Sequence, residues 1–494
     1  MCGMATTALD LVTGVGAPPV SAAVVPPGGG ALSYGELSDL VDQVGTAMRH
    51  NDKALVLCAG DRDLPTVLAY LAALRLGHTV AFLPATTEVL SAYRPDFVVP
   101  APGAHDDLTA AGYRPTGGSP VGATIFRRAS AGPHAPISDE TALLLMTSGT
   151  TGSPKAVRLS YSAIADNSRA IVDALGITAA ERAATTLPIT HAYGLSVLNS
   201  HLIAGASVVL SDSPPLALAT WDRLARTGVT SLAAVPTTYA AFGPSHVNLL
   251  GRTAIRTMTQ AGARLADDLT TRLARMMQRR GGRFFTMYGQ TEATSRMAVL
   301  DPADLPERLG SVGRAVPGGV FTIAPGPPHA RAVPGEGAVR YRGPGVMLGY
   351  ASCREDLARG AEVDVLDTGD LGYLRDGYLY LTGRTKRIAK VLGVRTSLDD
   401  LERSVERPGH PTAVLAGADD VVYLVGAGDA AVHEQQRRQL ADSLGVPSRH
   451  VVLRQVDRLP RTPGGKVDYR ALAEVIGRSD GGAEQLASTV RPGT

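Results

Sequence analysis

The chain has 494 residues, more than one ordinary hydrophobic core supports, so we expect two or more domains. An apolar content of 44% with 19% charged residues predicts a globular protein and excludes a disordered one. The net charge of +2, without a lysine-rich run, argues against nucleic acid or an acidic membrane as a partner.

The N-terminal segment and the cysteines indicate the compartment. The first residues carry an acid, Asp10, and no positively charged n-region, so they do not predict a signal peptide. The most apolar window, residues 66–84, is interrupted by an arginine and a histidine, and it predicts a helix and a strand rather than a membrane span. The few cysteines predict a reducing cytoplasm, with neither a disulfide framework nor a zinc site. They are Cys2, Cys58 and Cys353.

Helix and strand patterns alternate along most of the chain. Ser33 and Glu36 stand in capping-box spacing at the start of an amphipathic helix. Further segments alternate between the two patterns: ALVLC (54–58), LPTVLAYLAALRLG (64–77), TVAFLP (79–84), GLSVLNSHLIAG (194–205), ASVVLS (206–211), VTSLAAVP (229–236) and RFFTMYG (283–289). This alternation predicts an α/β fold, in which βαβ-type sheets wrapped by helices form a large N-terminal domain over residues 1–383.

The pattern changes from about residue 310. Short strands and turns predict a small β subdomain over about residues 310–383. A hinge is expected near 384–390, followed by a small rotating α+β C-terminal domain over 384–478, in which Ser397 and Asp400 stand in position to cap a helix. The small polar residues of 479–494 predict a flexible tail.

The segment TSGTTGSPK (147–155) combines five hydroxyl residues with two glycines between apolar strand-like runs. It is not a Walker loop, because Pro154 precedes Lys155, and Ala156 and Val157 follow. Glycines let backbone N–H groups approach anionic oxygens, and hydroxyls add donors. The segment therefore predicts a loop that surrounds phosphates, against the alternative of an ordinary surface loop.

Lysine is scarce and arginine is common. The chain has 43 arginines, a bias that suits a GC-rich genome, and five lysines: Lys53, Lys155, Lys386, Lys390 and Lys466. A lysine that remains is a candidate for a role that arginine does not fill, a compact and strongly hydrated point charge on a flexible stem. The alternative is that these lysines survived by chance.

Four segments together resemble the adenylate-forming superfamily of acyl-CoA synthetases, peptide-synthetase adenylation domains and firefly luciferase. They are the loop just described, with Ala156 in place of the usual glycine, TMYGQTEAT (286–294), LDTGDLGYLRDGYLYLTGR (366–384) and RTPGGKVDYRAL (461–472). The likeness covers about residues 140–472 and is closest to the stand-alone acyl-CoA ligases. It implies that a carboxylate attacks the α-phosphate of ATP to give an acyl-adenylate and pyrophosphate, before a thiol takes the acyl group.

The resemblance also implies the nucleotide contacts. The loop would hold the β- and γ-phosphates, Glu292 would bind Mg2+, and Thr291 would lie near the α-phosphate. The loop residues are Thr147, Ser148, Gly149, Thr150, Thr151, Gly152 and Lys155. The other nucleotide contacts are Tyr288, Gly289, Gly262 and Ala263 around adenine, Asp370 and Arg384 at the ribose, and Gly393. Since both reactants are anions, catalysis is mainly their alignment and the neutralisation of their charge.

Three C-terminal lysines receive distinct roles from the same resemblance. Lys466 would be the cation that bridges the attacking carboxylate and the α-phosphate. Lys386 would be the hinge residue. Lys390 would face the active site only after the small domain rotates, so that Lys466 serves adenylation and Lys390 serves thiol attack.

The segment LPITHAYGLS (187–196) bears on the substrate. Amino-acid-activating relatives place an aspartate here, whereas this chain has His191 and Tyr193 and no acid, which favours a plain carboxylic acid. His191 resembles the CoA-ligase histidine that gates the acyl or thiol path; the alternative is a buried structural histidine. By resemblance the acyl pocket would be lined by Tyr193, Val235, Thr238, Tyr239, Ala261 and Met287. This mostly apolar lining suits an aromatic, terpenoid or fatty acid.

Some alternatives stay open. Tyr161, Ala389 and Leu398 depart from common family residues, which leaves room for an enzyme that performs only the thioester half-reaction. No carrier domain with a phosphopantetheine serine is visible, so the acceptor would be free coenzyme A or a separate carrier protein. A nucleotide-binding protein without turnover and a luciferase-like oxygenase are the remaining alternatives. The sequence does not indicate an oligomeric state.

Overall fold

The structure is a computed structural model. It describes residue 14 and residues 17–101, 106–118, 124–129, 135–146, 155–326, 333–391, 394–417, 421–444, 446–462 and 465–480. The chain divides into two compact units. The first comprises Met1–Val320 and Tyr341–Leu366, and the second comprises Phe321–Arg340 and Asp367–Thr494. The hinge expected near 384–390 and the rotation of a small domain stay predictions.

Thirteen α-helices occur within these described ranges. They are α1 (Tyr34–Ala47), α2 (Leu64–Arg75), α3 (Thr87–Tyr93), α4 (Asp106–Ala110), α5 (Tyr161–Leu175), α6 (Ala192–Ile203), α7 (Leu218–Arg226), α8 (Pro236–Ala240), α9 (Pro244–Gly251), α10 (Asp267–Arg279), α11 (Leu398–Val405), α12 (Ala430–Leu444) and α13 (Tyr469–Asp480).

The strands fall into two groups along the chain. The first group is β1 (Ala22–Val25), β2 (Leu32–Ser33), β3 (Leu55–Cys58), β4 (Thr79–Phe82), β5 (Phe97–Val99), β6 (Tyr113–Gly118), β7 (Thr124–Arg128), β8 (Thr141–Met146), β9 (Ala156–Ser160), β10 (Arg182–Ala184), β11 (Ser207–Val209), β12 (Ser231–Ala234), β13 (Thr257–Gln260), β14 (Arg283–Tyr288), β15 (Ala298–Leu300) and β16 (Arg314–Ala315). The second group is β17 (Val320–Ala324), β18 (Gly337–Arg342), β19 (Gly349–Ala351), β20 (Leu366–Arg375), β21 (Tyr378–Arg384), β22 (Ile388–Val391), β23 (Val394–Ser397), β24 (Thr412–Ala416), β25 (Val422–Ala427) and β26 (Val451–Val456).

Two large sheets build the first unit. Their orders are β16-β15-β14-β13-β12-β10-β11-β1-β2 and β19-β9-β8-β4-β3-β5-β7-β6. The central pairs β12–β13–β14 and β5–β3–β4–β8 are parallel. Every residue of β3, β4 and β12 is buried, as expected for parallel strands covered by helices on both faces. The predicted α/β class, with helix-wrapped sheets, is therefore confirmed.

Local sequence signals explain the ends of the helices. In the predicted capping box, the Ser33 side chain accepts from the Glu36 backbone N–H, and the Glu36 carboxylate accepts from the Ser33 N–H at 2.8 Å. The α5 helix begins after Ser160 and ends at Gly176, whose φ of +61° is a left-handed conformation that favours glycine. Within the described residues no helix is both long and apolar enough to cross a membrane.

Smaller sheets make up the second unit. A four-stranded sheet has the order β17-β18-β20-β21, β22 and β23 form an antiparallel pair, and β24-β25-β26 form a mixed sheet. Ser397 caps α11 by accepting from the Asp400 N–H, as its position in the sequence predicts. The apolar core of this region includes Leu401 on α11 and Leu440 on α12.

Candidate active site

The motifs of the first unit lie at the carboxyl ends of neighbouring parallel strands. Ala234, Gln260 and Thr286 are register partners across β12, β13 and β14. Tyr288 ends β14, and the segments that follow these strands carry the predicted residues Val235, Ala261–Ala263 and Gly289–Glu292. The carboxyl edge of a parallel sheet is where α/β proteins build ligand sites.

A tight return of the chain follows the strand β14. A Cβ built on Gly289 would lie 1.5 Å from the backbone oxygen of Ser295, so only glycine fits where the two segments meet. Thr294 has a φ of +65°, and the Met297 N–H donates to the Tyr288 carbonyl at 2.9 Å. Residues 294–297 are thereby folded back against the predicted adenine residues.

Glu292, the predicted magnesium ligand, lies in a short 3-10 turn over Thr291–Ala293. Its Oε1 accepts from the Tyr350 hydroxyl at 3.0 Å, and its backbone carbonyl accepts from the Met347 N–H at 2.9 Å. Burial first, and then the nearby Glu292 carboxylate, raise the pKa of Tyr350, so its hydroxyl stays protonated and donates. Tyr350 is therefore a candidate site residue that the sequence did not indicate.

Lys155, at the end of the predicted phosphate loop, meets the same tyrosine. Its Nζ lies 3.8 Å from the centroid of the Tyr350 ring, a cation–π contact. Tyr350 is next to it because β19 pairs antiparallel with β9, with Tyr350 opposite Val157. One side chain thus joins Lys155 to Glu292. The other predicted loop residues, Thr147 to Gly152, lie outside the described residues.

A buried arginine holds the strand that carries Tyr350. Arg158 is fully buried, and its Nε donates to the Tyr350 carbonyl at 3.3 Å. The rest of its guanidinium donates to the carbonyls of Arg359 and Gly360 and pairs with the Glu362 carboxylate. Arg158 is a positioning residue for Tyr350 that sequence reasoning missed.

His191 occupies the position just before α6, and its side chain makes no capping bond there. Its Nδ1 lies 3.3 Å from the Thr190 Oγ1. Two residues on, the Tyr193 hydroxyl lies 2.9 Å from the Thr259 Oγ1 on β13. The structure therefore places Tyr193 between α6 and the sheet, and the gating role of His191 stays a prediction.

Three of the predicted acyl-pocket residues meet in one apolar cluster. Ala261 and Met287 are buried in it, and Tyr193 packs against it at half burial. Tyr239 is buried as well: its hydroxyl donates to the Thr259 carbonyl at 2.9 Å, and its ring packs on Phe284. Val235 and Thr238 are half-buried around the start of α8.

A small cavity opens beside this cluster. Its described lining is Ile171, Leu175, Tyr193, Ser196, Val197, Ser200, His201, Ser231, Ala233, Thr259, Met287 and Arg296. Arg296 follows the Thr-Glu motif by four residues and reaches the cavity through the tight return after Gly289. Asn167 on α5 holds its backbone, donating to the Arg296 carbonyl at 2.7 Å.

The second unit contains the remaining predicted residues. Asp370 and Arg384 are register partners on β20 and β21, with Arg384 Nε 3.6 Å from Asp370 Oδ1. Lys466 is half-buried, and its carbonyl accepts from the Thr462 N–H at 2.8 Å. The structure describes only the backbone of Lys386 and Lys390, in the turn Thr385–Arg387 and in β22. Gly393 lies outside the described residues.

An arginine beside the predicted hinge residue is fixed in place. Arg387 pairs with Asp399 at 2.6 Å and with Glu402 at 2.7 Å, both on α11. Its guanidinium also lies 3.7 Å from the centroid of the Tyr469 ring, at the start of α13. The Tyr469 hydroxyl in turn donates to Glu402 Oε2 at 2.9 Å, which closes the network.

Comparison with known proteins identifies the family. A family profile described as AMP-binding enzyme matches residues 15–351. An indoleacetate–CoA ligase from Aromatoleum aromaticum is 29% identical over 490 residues, covering 90% of this chain and 94% of that protein. An oxalate–CoA ligase from Arabidopsis thaliana is 30% identical, covering 68% of each chain.

A solved structure shows the same fold. The ATP-bound MatB from Rhodopseudomonas palustris superimposes with a TM-score of 0.75 at 24% identity, over 95% of this chain and 98% of that one. The resemblance predicted from the four motifs is confirmed. This chain belongs to the family of AMP-binding enzymes.

Proposed function

We propose that the protein is an ATP-dependent, AMP-forming acid–CoA ligase that activates a carboxylic acid other than an α-amino acid. In the first step a carboxylate oxygen attacks the α-phosphorus, the α–β phosphoanhydride bond breaks, and pyrophosphate leaves. In the second step the thiol sulfur of coenzyme A attacks the acyl carbon, the carbon–oxygen bond to AMP breaks, and the thiol proton is released.

The observation that carries this proposal is the nearly end-to-end likeness to a protein named as a CoA ligase, over 90% of this chain and 94% of that protein. The family profile ends at residue 351, whereas this likeness covers 90% of the chain and so extends beyond the profile. Lys466 and Lys390 are assigned to the two half-reactions by resemblance alone, and free coenzyme A is the acceptor that this relative's name supports.

The Lys155–Tyr350–Glu292 arrangement suits the first step. Lys155 supplies a point charge at the end of the phosphate loop, and the Tyr350 hydroxyl orients the Glu292 carboxylate from one side. No group of three or more His, Cys, Asp or Glu is arranged for a metal ion within the described part of the chain. A single oriented carboxylate fits magnesium, which prefers oxygen ligands and is shared with substrate phosphates. When bound, magnesium supplies charge neutralisation at those phosphates.

The polarity of the cavity supports a substrate without an α-ammonium group. An α-ammonium donates hydrogen bonds and needs acceptors, ideally a carboxylate. Among the described residues that line the cavity there is no aspartate or glutamate, and Arg296 supplies a positive charge. An amino acid would therefore bring its ammonium towards a cation, which costs free energy at close range.

The test is pyrophosphate release from ATP and Mg2+ with a panel of aryl, terpenoid, fatty and short-chain acids, and with amino acids as the contrast. Each acid is assayed with and without coenzyme A. Acid-dependent release together with a CoA thioester supports the complete ligase. Release without a thioester, in a protein that acylates a carrier protein instead, would move the acceptor to the carrier. Thioester formation from a supplied acyl-adenylate, without pyrophosphate release, would make the protein a half-reaction enzyme.

A further inference from the structure

Three arginines are buried among the described residues, and one of them differs from the others. Arg158, Arg296 and Arg354 are 0%, 2% and 3% exposed. Arg158 pairs with Glu362, and Arg354 Nη2 lies 2.8 Å from Asp96 Oδ2. Arg296 pairs with no carboxylate in the described parts of the chain. Among the described residues, this buried guanidinium therefore has no carboxylate as a counter-ion.

The contacts of Arg296 are few and weak. Its Nη2 donates to the Ser196 Oγ at 3.4 Å, and its Nε is buried without a hydrogen-bond partner among the described residues. The guanidinium carbon lies 4.6 Å from the centroid of the Tyr193 ring. Burial lowers the pKa of the Arg296 guanidinium, while Tyr193 opposes this shift.

The titratable neighbours do not supply the missing negative charge. Burial raises the pKa of Tyr193 to about 12, so the phenol is neutral at physiological pH. Burial lowers the pKa of His201, whose Nδ1 lies 2.8 Å from the Val197 carbonyl, so its ring is neutral as well. A buried, unpaired charge costs several kcal/mol of free energy. A ligand anion that pairs with this guanidinium would offset that cost, which favours its binding.

The cavity beside Arg296 overlaps the predicted acyl pocket in part. Tyr193 and Met287 belong to both, and Ser196, Ser200, Ser231 and Thr259 add hydroxyl groups to the lining. The cavity itself is small, about 10 Å³, so the binding of an anionic group would require neighbouring side chains to move outward. Guanidinium binds carboxylate and related oxyanions bidentately, through paired N–H groups.

We propose that Arg296 binds a second anionic group on the acid, a carboxylate or sulfonate remote from the carboxylate that is activated. The substrate class is then a small acid with two negative charges, instead of a purely apolar acid. This inference rests on the proposed ligase function, because it names the substrate of that same site. Two residues position the guanidinium. Ser196 accepts a hydrogen bond from it, and Asn167 donates to the Arg296 backbone carbonyl.

The experiment compares matched acids with the full-length protein. Succinate is paired with butyrate, terephthalate with benzoate, and sulfoacetate with acetate, so that each pair differs mainly in the distal anion. Pyrophosphate release gives kcat/KM for each acid in the wild type, in Arg296→Met and in Arg296→Lys. The thermal midpoint with and without each acid reports binding independently of turnover.

The wild type is expected to favour the dianionic member of at least one pair by about 100-fold in kcat/KM, because a site built for a polar group rejects the analogue that lacks it. Arg296→Met loses this preference, and Arg296→Lys recovers only part of it, since lysine lacks the planar fork. The dianionic acid raises the thermal midpoint of the wild type and not that of Arg296→Met.

A stability control separates binding from folding. Arg354→Met leaves the buried Asp96 without its closer partner and is expected to lower the thermal midpoint. Arg296→Met removes an uncompensated charge and is expected to leave the midpoint unchanged or raised. An equal fall in both variants would overturn the inference, because Arg296 would then be structural.

The remaining outcomes distinguish the two proposals. If apolar monoacids are turned over and their dianionic partners are not, the ligase function stands and the role of Arg296 is overturned. If no acid releases pyrophosphate, the ligase function fails. In that case an Arg296-dependent rise in thermal midpoint still supports the anion site, and a rise that is equal in Arg296→Met, or absent, overturns it.

Discussion

The Tyr350 hydroxyl donates to Glu292 Oε1 at 3.0 Å, and the face of the same ring carries the Lys155 ammonium at 3.8 Å. One tyrosine therefore fixes both the carboxylate predicted to hold magnesium and the lysine that ends the phosphate loop. Its strand is set by pairing with β9, and its carbonyl is held by Arg158.

Tyr350→Phe keeps the ring beneath Lys155 and removes the hydroxyl that orients Glu292. We expect pyrophosphate release to slow about tenfold, since a hydrogen bond to a charged group is worth roughly 1.4 kcal/mol or more. The midpoint of the Mg2+ dependence should also rise. The control is Tyr113→Phe, whose hydroxyl donates to the Pro95 carbonyl at 3.1 Å. Similar rates in the two variants would contradict the orienting role.

Arg158→Met removes the hydrogen-bond donors to backbone carbonyls that include those of Tyr350 and Gly360. It also removes the buried partner of Glu362. We expect the free energy of unfolding to fall by about 1–3 kcal/mol for each buried carbonyl left without its donor, while the partly exposed Glu362 keeps Arg359 as a partner. Arg158→Lys should not restore it, because one ammonium does not match a planar fork of donors. Denaturant unfolding measures the change. Arg340→Met breaks an exposed pair with Asp367 and should cost at most about 1 kcal/mol.

Lys466→Ala is expected to lower acid-dependent pyrophosphate release by about 100-fold or more. It removes the cation predicted to bridge the attacking carboxylate and the α-phosphate of ATP. Thioester formation from a supplied acyl-adenylate should continue at nearly the wild-type rate. Lys53→Ala is the lysine control. Lys53 belongs to the first unit, where its Nζ donates to the Asp139 carbonyl at 2.7 Å, and it has no predicted catalytic role. Equal loss of both half-reactions would refute the assignment of Lys466.

Lys390→Ala should give the opposite pattern. We expect thioester formation from a supplied acyl-adenylate to slow more than pyrophosphate release. Rapid quench of a single turnover resolves the two steps, and the acyl-adenylate should accumulate. If pyrophosphate release fell as much as thioester formation, Lys390 would not be specific to the second step.

His78 predicts a pH-dependent stability. Its Nδ1 accepts from the Ala54 N–H at 3.2 Å and its Nε2 lies 3.0 Å from the Met48 carbonyl, which requires the neutral ring. Burial lowers the pKa of His78; the Met48 carbonyl and Asp96 oppose the shift, and the neighbouring His50 and Lys53 add to it. The unfolded chain binds this proton at a higher pH than the folded chain does. The free energy of unfolding therefore decreases as the pH falls below about 6.5.

The measurement for His78 is the free energy of unfolding from pH 7.5 to 5.5. His78→Gln should be less stable than the wild type at pH 7.5. Its free energy of unfolding should fall less steeply with decreasing pH, by up to about 1.4 kcal/mol per pH unit in the range where only the unfolded His78 ring is charged. A decline as steep as that of the wild type would show that other groups carry the dependence.

The sequence predicted much of the fold because its signals are local. The Ser33–Glu36 capping box and the βαβ alternation depend on neighbouring residues, and both are found in the structure. Tyr350 was not predicted, because its position depends on pairing between β19 and β9, which are far apart in the chain. No pattern in the segment around it distinguishes it from a core tyrosine.

Arg296 illustrates a different limit. It stands only four residues after Glu292, yet the sequence does not indicate that it is buried or that no described carboxylate pairs with it. Its place depends on the tight return after Gly289, the left-handed Thr294 and the clamp from Asn167. The mostly apolar pocket expected from the sequence thus gains a cation that only three-dimensional packing brings there.

The network around Arg387 limits where the predicted hinge can turn. Arg387 is tied to α11 through Asp399 and Glu402 and to α13 through Tyr469, so it moves with these helices as one piece. A rotation at the predicted hinge would then occur in the backbone up to Lys386. If Lys386 is the hinge, as predicted, a small change in its φ and ψ would rotate Arg387, α11 and α13 together as one rigid body.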